Sequence, residues 1–333
     1  MTAVTSKLCR LQTIISFMRF QHLEVFLWLA FFLHVCAPTS LHAQRVDTLD
    51  GKLFRAIDND DIVSVQHLLL DGANIEARET NDTTPLMEAA EHGSVPLISL
   101  LLENGANPTT GDKQGDTALI YAARGGRVRV VNLLVRLADA KDKNRALFEA
   151  VEGGPVVIKT DDAPAPNRLQ TRPAEVQESW TATIETLLDN GADIEARNQD
   201  GSTPLDWAAT FAQTDVLKLL IQRGAKTNVA DKYGNTPLIS AACECAVATM
   251  NSAYDVMKIL LDQGANVNAR NKDGKTALIM ASGMTGDAAV LDLLLKNGAD
   301  PQAKDHKGNT ALSLAKQSGR EDKIAILKTA TVH

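Results

Sequence analysis

The segment from Gly201 to Leu238 reads GSTPLDWAATFAQTDVLKLLIQRGAKTNVADKYGNTPL. It contains the step Thr-Pro-Leu twice, at Thr203 and again at Thr236, 33 residues later. A Leu-rich segment lies between the two steps, and Gly224 with the following Ala closes it. Self-similarity at a period of about 20–50 residues indicates a repeat architecture.

Two markers recur along the chain in one register. The Thr-Pro/Ala-Leu step begins at Thr84, Thr117, Thr203, Thr236, Thr276 and Thr310. The Gly-Ala step begins at Gly72, Gly105, Gly191, Gly224, Gly264 and Gly298. Because both markers keep the same period, the chain is predicted to be a stack of similar units.

The residues of one unit predict its shape. Thr203 can cap a helix, and proline at the first helical position loses no hydrogen bond. Small paired alanines, such as Ala208 and Ala209, allow close packing between neighbouring helices. Gly224 ends the second helix because glycine readily takes the left-handed conformation at a helix end. One unit cannot bury its apolar face alone, so stability must come from stacking.

The body of the chain, about residues 47–333, resembles the ankyrin repeat family on these two repeated markers. The resemblance implies an all-α ankyrin-repeat solenoid of about eight helix-turn-helix units, each preceded by a hairpin loop. The first unit is expected at Leu49–Arg78, with helices near 51–58 and 61–70. The last unit begins near Gly308, and its charged residues are expected to face water: Lys316, Arg320, Glu321, Asp322 and Lys323.

The fourth unit departs most from the pattern. Its start near Arg145 lacks both the capping Thr and the hairpin Gly, and its helices are expected near 145–152 and 181–189. Between them lies an insertion, residues 153–179, that contains four prolines and cannot be one continuous helix. It is interpreted as an irregular loop tolerated at a surface turn, or as an arm that grips a partner. Proteolysis is expected to begin there.

Two smaller departures concern cysteine and histidine. Cys243 and Cys245 lie in a stretch of extra residues. Two cysteine ligands are too few for a structural zinc site. The two cysteines therefore either form a local disulfide or have no special role. In ankyrin repeats a histidine often follows Thr-Pro-Leu, and here that position holds Met87, Ile120, Asp206, Ile239, Ile279 and Ser313. The hairpin row is therefore expected to be looser than in a consensus array.

The leader, residues 1–43, predicts export. An unbroken apolar run from Val25 to Leu33 is too short for a bilayer span and suits a signal peptide. Cleavage is expected after Ala43, translation could begin at Met18, and an uncleaved membrane anchor is the alternative. Residues 44–333 are expected to form the ankyrin repeat domain, which would be periplasmic or secreted after cleavage and membrane-anchored if the leader is retained.

Charge narrows the class of partner. The leader holds three basic residues and one acidic residue, so the body is two charges more negative than the −7 of the whole chain. Phosphate contacts need clustered Lys and Arg, so a nucleic acid partner is not expected. Membrane contact is expected only if the leader is uncleaved, and then only through the leader, and the protein is expected to be a monomer.

No catalytic, cofactor-binding or metal motif is found in the sequence. There is no Gly-rich phosphate loop, nucleophile elbow or two-His metal helix. The carboxylates Asp58, Asp60 and Asp61 lack the longer pattern of a calcium loop and are interpreted as a solvated helix start. An enzyme is therefore not expected.

The resemblance implies that a partner protein contacts the hairpin tips and the exposed side of the first helices. Aromatic and Arg residues are the commonest anchors of protein interfaces. By motif register, the candidate partner-binding residues are Arg124, Trp207, Phe211, Lys232, Tyr233 and Met284. The hypotheses are a non-catalytic scaffold, adaptor or inhibitor, and alternatively an accessory protein of envelope protection that acts with a neighbouring enzyme.

Overall fold

The computed structural model describes residues 48–153, 174–243, 250–283 and 288–330. In these ranges the chain forms sixteen helices and no strand, so the predicted all-α helix-turn-helix solenoid is confirmed. The helices are α1 Leu49–Asp58, α2 Ile62–Leu70, α3 Pro85–His92, α4 Val95–Glu103, α5 Ala118–Arg124, α6 Val128–Leu134, α7 Ala140–Gly153, α8 Ala174–Asp189, α9 Pro204–Thr210, α10 Thr214–Gln222, α11 Pro237–Ala241, α12 Met250–Asp262, α13 Ala277–Gly283, α14 Ala289–Lys296, α15 Ala311–Gln317 and α16 Glu321–Ala330. None of the helices in these ranges is long and apolar enough to cross a membrane.

The helices stack in two layers from Leu53 onward, where the chain forms one compact unit. From α3 onward, each odd-numbered helix packs against the next odd-numbered helix. From α2 onward, each even-numbered helix packs against the next even-numbered helix. Contacts therefore run mainly between neighbouring units, as in a solenoid whose stability is a sum of unit and interface terms.

The repeated threonines precede the first helices, and four of the six make the expected capping hydrogen bond. Thr84 and Thr203 have extended backbones, and each hydroxyl accepts a hydrogen bond from the backbone N–H three residues on, at 3.3 and 3.2 Å. Thr117 and Thr236 have the same extended backbone without that bond. The paired alanines, for example Ala208 and Ala209, are fully buried where the first helices pack together.

The glycines predicted at turns have positive φ, including Gly224 after α10 at 93° and Gly115 in a hairpin at 77°. Asp82 occupies the position of Gly115 in the preceding hairpin, with φ of 61°. The left-handed region costs an L residue about 1–2 kcal/mol, although Asp tolerates it better than most. The first hairpin is therefore strained at Asp82.

The fourth unit differs from the prediction at both of its helices. Helix α7 begins at Ala140 and not near Arg145, because the Asp139 carboxylate accepts the Asp142 N–H at 2.8 Å and caps the helix. Helix α8 begins at Ala174 and not near Thr181. The predicted insertion 153–179 therefore overlaps helix at both ends.

Trp180 of α8 is buried in the fourth unit, with 1% of its surface exposed. A Cβ built on Gly126 would lie 2.9 Å from the Trp180 ring, and one on Gly153 would lie 3.0 Å from its Nε1. Both glycines therefore make room for the indole. The tryptophan fixes α8 against the α5–α6 turn and the end of α7.

Lys323 of α16 was expected to face water, and this is wrong. Its side chain is 1% exposed, and its Nζ donates a hydrogen bond to the Ala281 carbonyl at 2.7 Å. Ala281 belongs to the last turn of α13, where unpaired carbonyls favour a cation. Lys323 thus packs its stem inside the last unit while its amine caps α13. Lys316, Glu321 and Asp322 are exposed, as expected.

Four predictions fall outside the described residues. They concern the leader 1–43, the middle of the insertion at 154–173, Cys245 and Met284. Cys243 is half-buried after α11.

Candidate partner-binding surface

The hairpin tips are joined by single backbone hydrogen bonds between neighbouring units. Each bond runs from the N–H of the second hairpin residue to the carbonyl of the third residue in the preceding hairpin. The donor and acceptor pairs are Lys113 with Asn81, Lys232 with Asp200, Lys272 with Tyr233 and His306 with Asp273, at 2.8–3.1 Å. The tips therefore form a continuous edge within each of two blocks, separated by the fourth unit.

Side-chain hydrogen bonds also stabilise the hairpins individually. They occur in every described hairpin from the third unit onward except that of the fourth unit. The first residue of each such hairpin is Asp or Asn, and one side-chain oxygen accepts the N–H groups two and four residues on, at 2.7–3.0 Å. These residues are Asp112, Asn198, Asp231, Asn271 and Asp305. The missing histidines predicted a loose hairpin row, and these side-chain hydrogen bonds brace the hairpins in another way.

Lys232 and Tyr233 form an exposed pair at one tip. The Lys232 amine forms an ion pair with Asp200 and lies 5.0 Å from the centroid of the Tyr233 ring. Hydrogen bonds to Asp200 and Tyr233 raise the pKa of Lys232 above its ordinary value. Tyr233 is 48% exposed, and it is the one aromatic among the large hydrophobic side chains that the described residues expose. Its ring is therefore held in place while one side faces solvent.

Trp207 and Phe211 lie together at the end of α9. Their ring centroids are 5.3 Å apart with an interplanar angle of 56°, and both side chains are half-buried. A tilted aromatic pair of this kind contributes about 0.5–1.5 kcal/mol beyond the area it buries. The pair is partly committed to packing, and its remaining surface is available to a partner.

Arg124 is engaged in an ion-pair network. Its guanidinium contacts Asp116 at 2.6 Å and Glu149 at 2.8 Å, and Arg145 contacts the other oxygen of Asp116 at 2.5 Å. Burial disfavours the charge, but the hydrogen bonds and charges of Glu149 and Asp116 outweigh it and raise the pKa of Arg124. Nearby, burial and the charge of Glu149 raise the pKa of Glu152 to about 8. Arg124 therefore links α5 to α7, and its side chain is 34% exposed.

Asp206 is a buried carboxyl group on α9, at a position that the sequence marked by the absence of the usual histidine. It is 3% exposed, and burial raises its pKa to about 6, although hydrogen bonds with Ser240 and Ser202 oppose the shift. The sequence held one further indication of it. The equivalent position is apolar in four other units, at Met87, Ile120, Ile239 and Ile279.

A second cluster brings Asp58 of α1 to Glu88 and His92 of α3. Asp58 was interpreted as part of a solvated helix start, and for this residue the interpretation is wrong, because Asp58 ends α1 and its side chain is only 11% exposed. The His92 Nε2 lies 3.5 Å from an Asp58 oxygen and 3.6 Å from a Glu88 oxygen. All three ligand atoms lie within 4.8 Å of one another. Among the described residues, this is the one group of three possible metal ligands with its ligand atoms this close together. Two of the three residues could have been paired from the sequence, because Glu88 and His92 are four residues apart and so share one helix face.

Comparison with known proteins follows the same repeats. A family model described as ankyrin repeats (3 copies) matches residues 53–153, 176–248 and 245–332. An ankyrin repeat-containing protein of Schizosaccharomyces pombe is 39% identical over 57 residues, 17% of this chain and 27% of that protein. An ankyrin repeat protein of fowlpox virus is 30% identical over 97 residues, 29% of this chain and 48% of that protein. The neurogenic locus Notch protein of Drosophila melanogaster is 39% identical over 66 residues, 20% of this chain and 2% of that protein. The chain thus spans less than half the length of each of these relatives.

Proposed function

The chain belongs to the ankyrin repeat family, whose repeats generally mediate binding to other proteins, and we propose that it is a non-catalytic scaffold or adaptor. The family is generally non-catalytic. The partner is another protein, bound by the hairpin tips and the neighbouring first helices.

The observation that carries the proposal is the exposed Tyr233 on the braced hairpin edge. A rigid aromatic side chain offers a large contact area at a low cost in conformational entropy, and such residues dominate interface energetics. The Asp231 carboxylate accepts the Tyr233 N–H at 2.8 Å, and Lys272 binds its carbonyl at 2.8 Å. The backbone beneath the ring is therefore fixed before a partner arrives. Lys232 and Asp200 add one charge of each sign beside it.

Cross-linking capture from the native host tests the proposal. The wild type is compared with Tyr233→Ala and Phe211→Ala, and the control is Leu70→Ala, which removes a 78%-exposed apolar side chain from the second-helix row. A partner captured by the wild type and by Leu70→Ala, but lost at least about tenfold from Tyr233→Ala, supports this surface. Equal capture by all variants that fold as the wild type does places binding elsewhere.

We further propose that the scaffold acts as a monomer outside the cytoplasm, after cleavage behind Ala43. The apolar run 25–33 and the sparse charge of the leader support export. The N-terminus of the captured protein tests this, since Gln44 as the first residue supports cleavage and an intact leader in the cytoplasm contradicts it. Recovery of an envelope enzyme as the partner would favour the accessory role in envelope protection over the general adaptor.

A further inference from the structure

Three metal-ligating side chains meet between the first two units, on the first helices α1 and α3. Asp58 is the last residue of α1, and its side chain is 11% exposed. Glu88 lies in the first turn of α3 with a side chain 19% exposed, and His92 ends the same helix with a side chain 43% exposed. Two largely buried carboxylates thus face one imidazole that is open to solvent on one side.

The distances between the three ligand atoms suit one small divalent ion. Zinc bonds of about 2.0–2.1 Å in a tetrahedron place neighbouring ligand atoms about 3.3 Å apart. The observed separations from the His92 nitrogen are 3.5 and 3.6 Å, and the separation of the two carboxylate oxygens is at most 4.8 Å. The two His92 separations already approach the tetrahedral spacing, and rotation of the Asp58 and Glu88 side chains, which brings their oxygens up to about 1.5 Å closer together, would close the triangle around an ion.

The electrostatic setting also favours a cation. Asp58 places a negative charge at the C-terminal end of α1, where the helix dipole is already negative. Glu88 brings a second carboxylate to the same point. A divalent cation placed between two carboxylate oxygens within 4.8 Å of each other attracts both of them.

We propose that Asp58, Glu88 and His92 form a binding site for a divalent transition-metal ion of the zinc type. One imidazole nitrogen and two carboxylate oxygens match the ligands that Zn²⁺ accepts, and a water molecule completes the tetrahedron. Magnesium and calcium prefer an all-oxygen shell with more ligands, so they bind this site less well.

The ion ties the first unit of the array to the second. A terminal unit has a neighbour on one side only, so it is held by one interface where an inner unit has two. Because the ligands come from α1 and α3, a bound ion adds a bond across that interface. An ion that binds only the folded protein also raises the melting temperature by mass action.

Metal titration of the full chain, prepared without a His tag, tests the site. Isothermal titration with Zn²⁺ is expected to give one site per chain, and Co²⁺ is expected to give the visible absorption of a tetrahedral complex without a thiolate charge-transfer band. His92→Asn and Glu88→Gln are each expected to weaken binding at least about tenfold. The matched control is His67→Asn, which removes an exposed histidine from α2 and is expected to leave the affinity unchanged.

Thermal unfolding supplies a second measurement. Zn²⁺ is expected to raise the melting temperature of the wild type and of His67→Asn, with reversal by a chelator, and to leave His92→Asn unmoved. His92 is exposed, so this variant is expected to fold without metal. Absence of binding, or equal binding by His92→Asn, overturns the proposal and leaves the three side chains as an ordinary ion pair. A thiolate band assigns the ion to the cysteines, and this also overturns it.

Discussion

The guanidinium of Arg145 donates a hydrogen bond to the main-chain carbonyl of Gln114 at 2.9 Å. Where one hairpin directly follows another, the equivalent carbonyl accepts a backbone N–H from the next hairpin, as the Tyr233 carbonyl does from Lys272. The fourth unit has no such hairpin, because α7 begins directly at Ala140. A side chain therefore replaces a missing backbone donor where the repeat pattern breaks.

Arg145→Ala is expected to destabilise the protein by about 1–2 kcal/mol, since it removes this hydrogen bond and one of two cations that face Asp116. The midpoint of urea unfolding measures the effect. Arg129→Ala, which removes an exposed arginine from α6, is the control and is expected to change stability by less than about 0.5 kcal/mol. Equal midpoints for the two variants would show that the Gln114 contact adds nothing.

Asp206→Asn is expected to stabilise the protein at pH 7 and to flatten its pH dependence. The pKa of Asp206 is about 6 in the folded state and 3.8 in the reference state. Between these values the folded chain binds more protons than the unfolded chain, so the free energy of unfolding falls as pH rises. The gain at pH 7 is at most about 3 kcal/mol.

Urea unfolding of the wild type and of Asp206→Asn at several values from pH 4 to pH 7 measures this difference. Asp255→Asn, which changes an exposed carboxylate on α12, is the control for the loss of one charge. A constant difference between wild type and Asp206→Asn across this range would contradict the assignment of the titration to Asp206.

Asp82→Gly is expected to stabilise the first hairpin by about 0.5–1 kcal/mol, because it relieves a left-handed backbone. The reciprocal change, Gly115→Asp, is expected to destabilise the next hairpin by a similar amount. A Cβ at Gly115 meets little except the end of the Arg145 side chain at 4.0 Å, so backbone strain dominates the effect. Thermal unfolding of the two variants should shift in opposite directions, and shifts of the same sign would refute the argument.

Gly126→Ala is expected to destabilise the protein by about 1–3 kcal/mol more than Gly191→Ala does. Both glycines have positive φ, at 64° and 90°, so both variants strain the backbone. An added Cβ at Gly126 also meets the Trp180 ring, whereas one at Gly191 has no heavy atom within 4 Å. The φ of Gly191 lies farther from the left-handed region that Ala can adopt, so the backbone strain of Gly191→Ala is at least as large, and a greater loss of unfolding free energy in Gly126→Ala reports the packing of Trp180. Tryptophan fluorescence should report displacement of the ring in Gly126→Ala alone.

The binding candidates named from the sequence met different outcomes. Tyr233 and Lys232 lie at an exposed hairpin tip, as the motif register implied. Arg124 lies at its expected place on a first helix, but its guanidinium is held by Asp116 and Glu149. Its partner Glu149 belongs to the irregular fourth unit, for which no repeated marker gave a register. Residue type and repeat register predicted where each side chain lies on its unit. They could not predict which charged side chains form ion pairs with each other.

The repeated architecture follows directly from the order of residues along the chain. Thr203 and Gly224 act within a few residues of the chain, as a helix cap and a helix end, and neighbouring units repeat them. Helix caps and helix ends of this kind depend on residues close together in the chain, so they can be predicted from the sequence alone. The tertiary structure alone decided the contacts between distant residues: Arg145 with Gln114, Lys323 with Ala281, and Asp58 with Glu88 and His92. These depend on how units stack, because burial and electrostatic partners are fixed only when separate helices come within a few ångströms of one another.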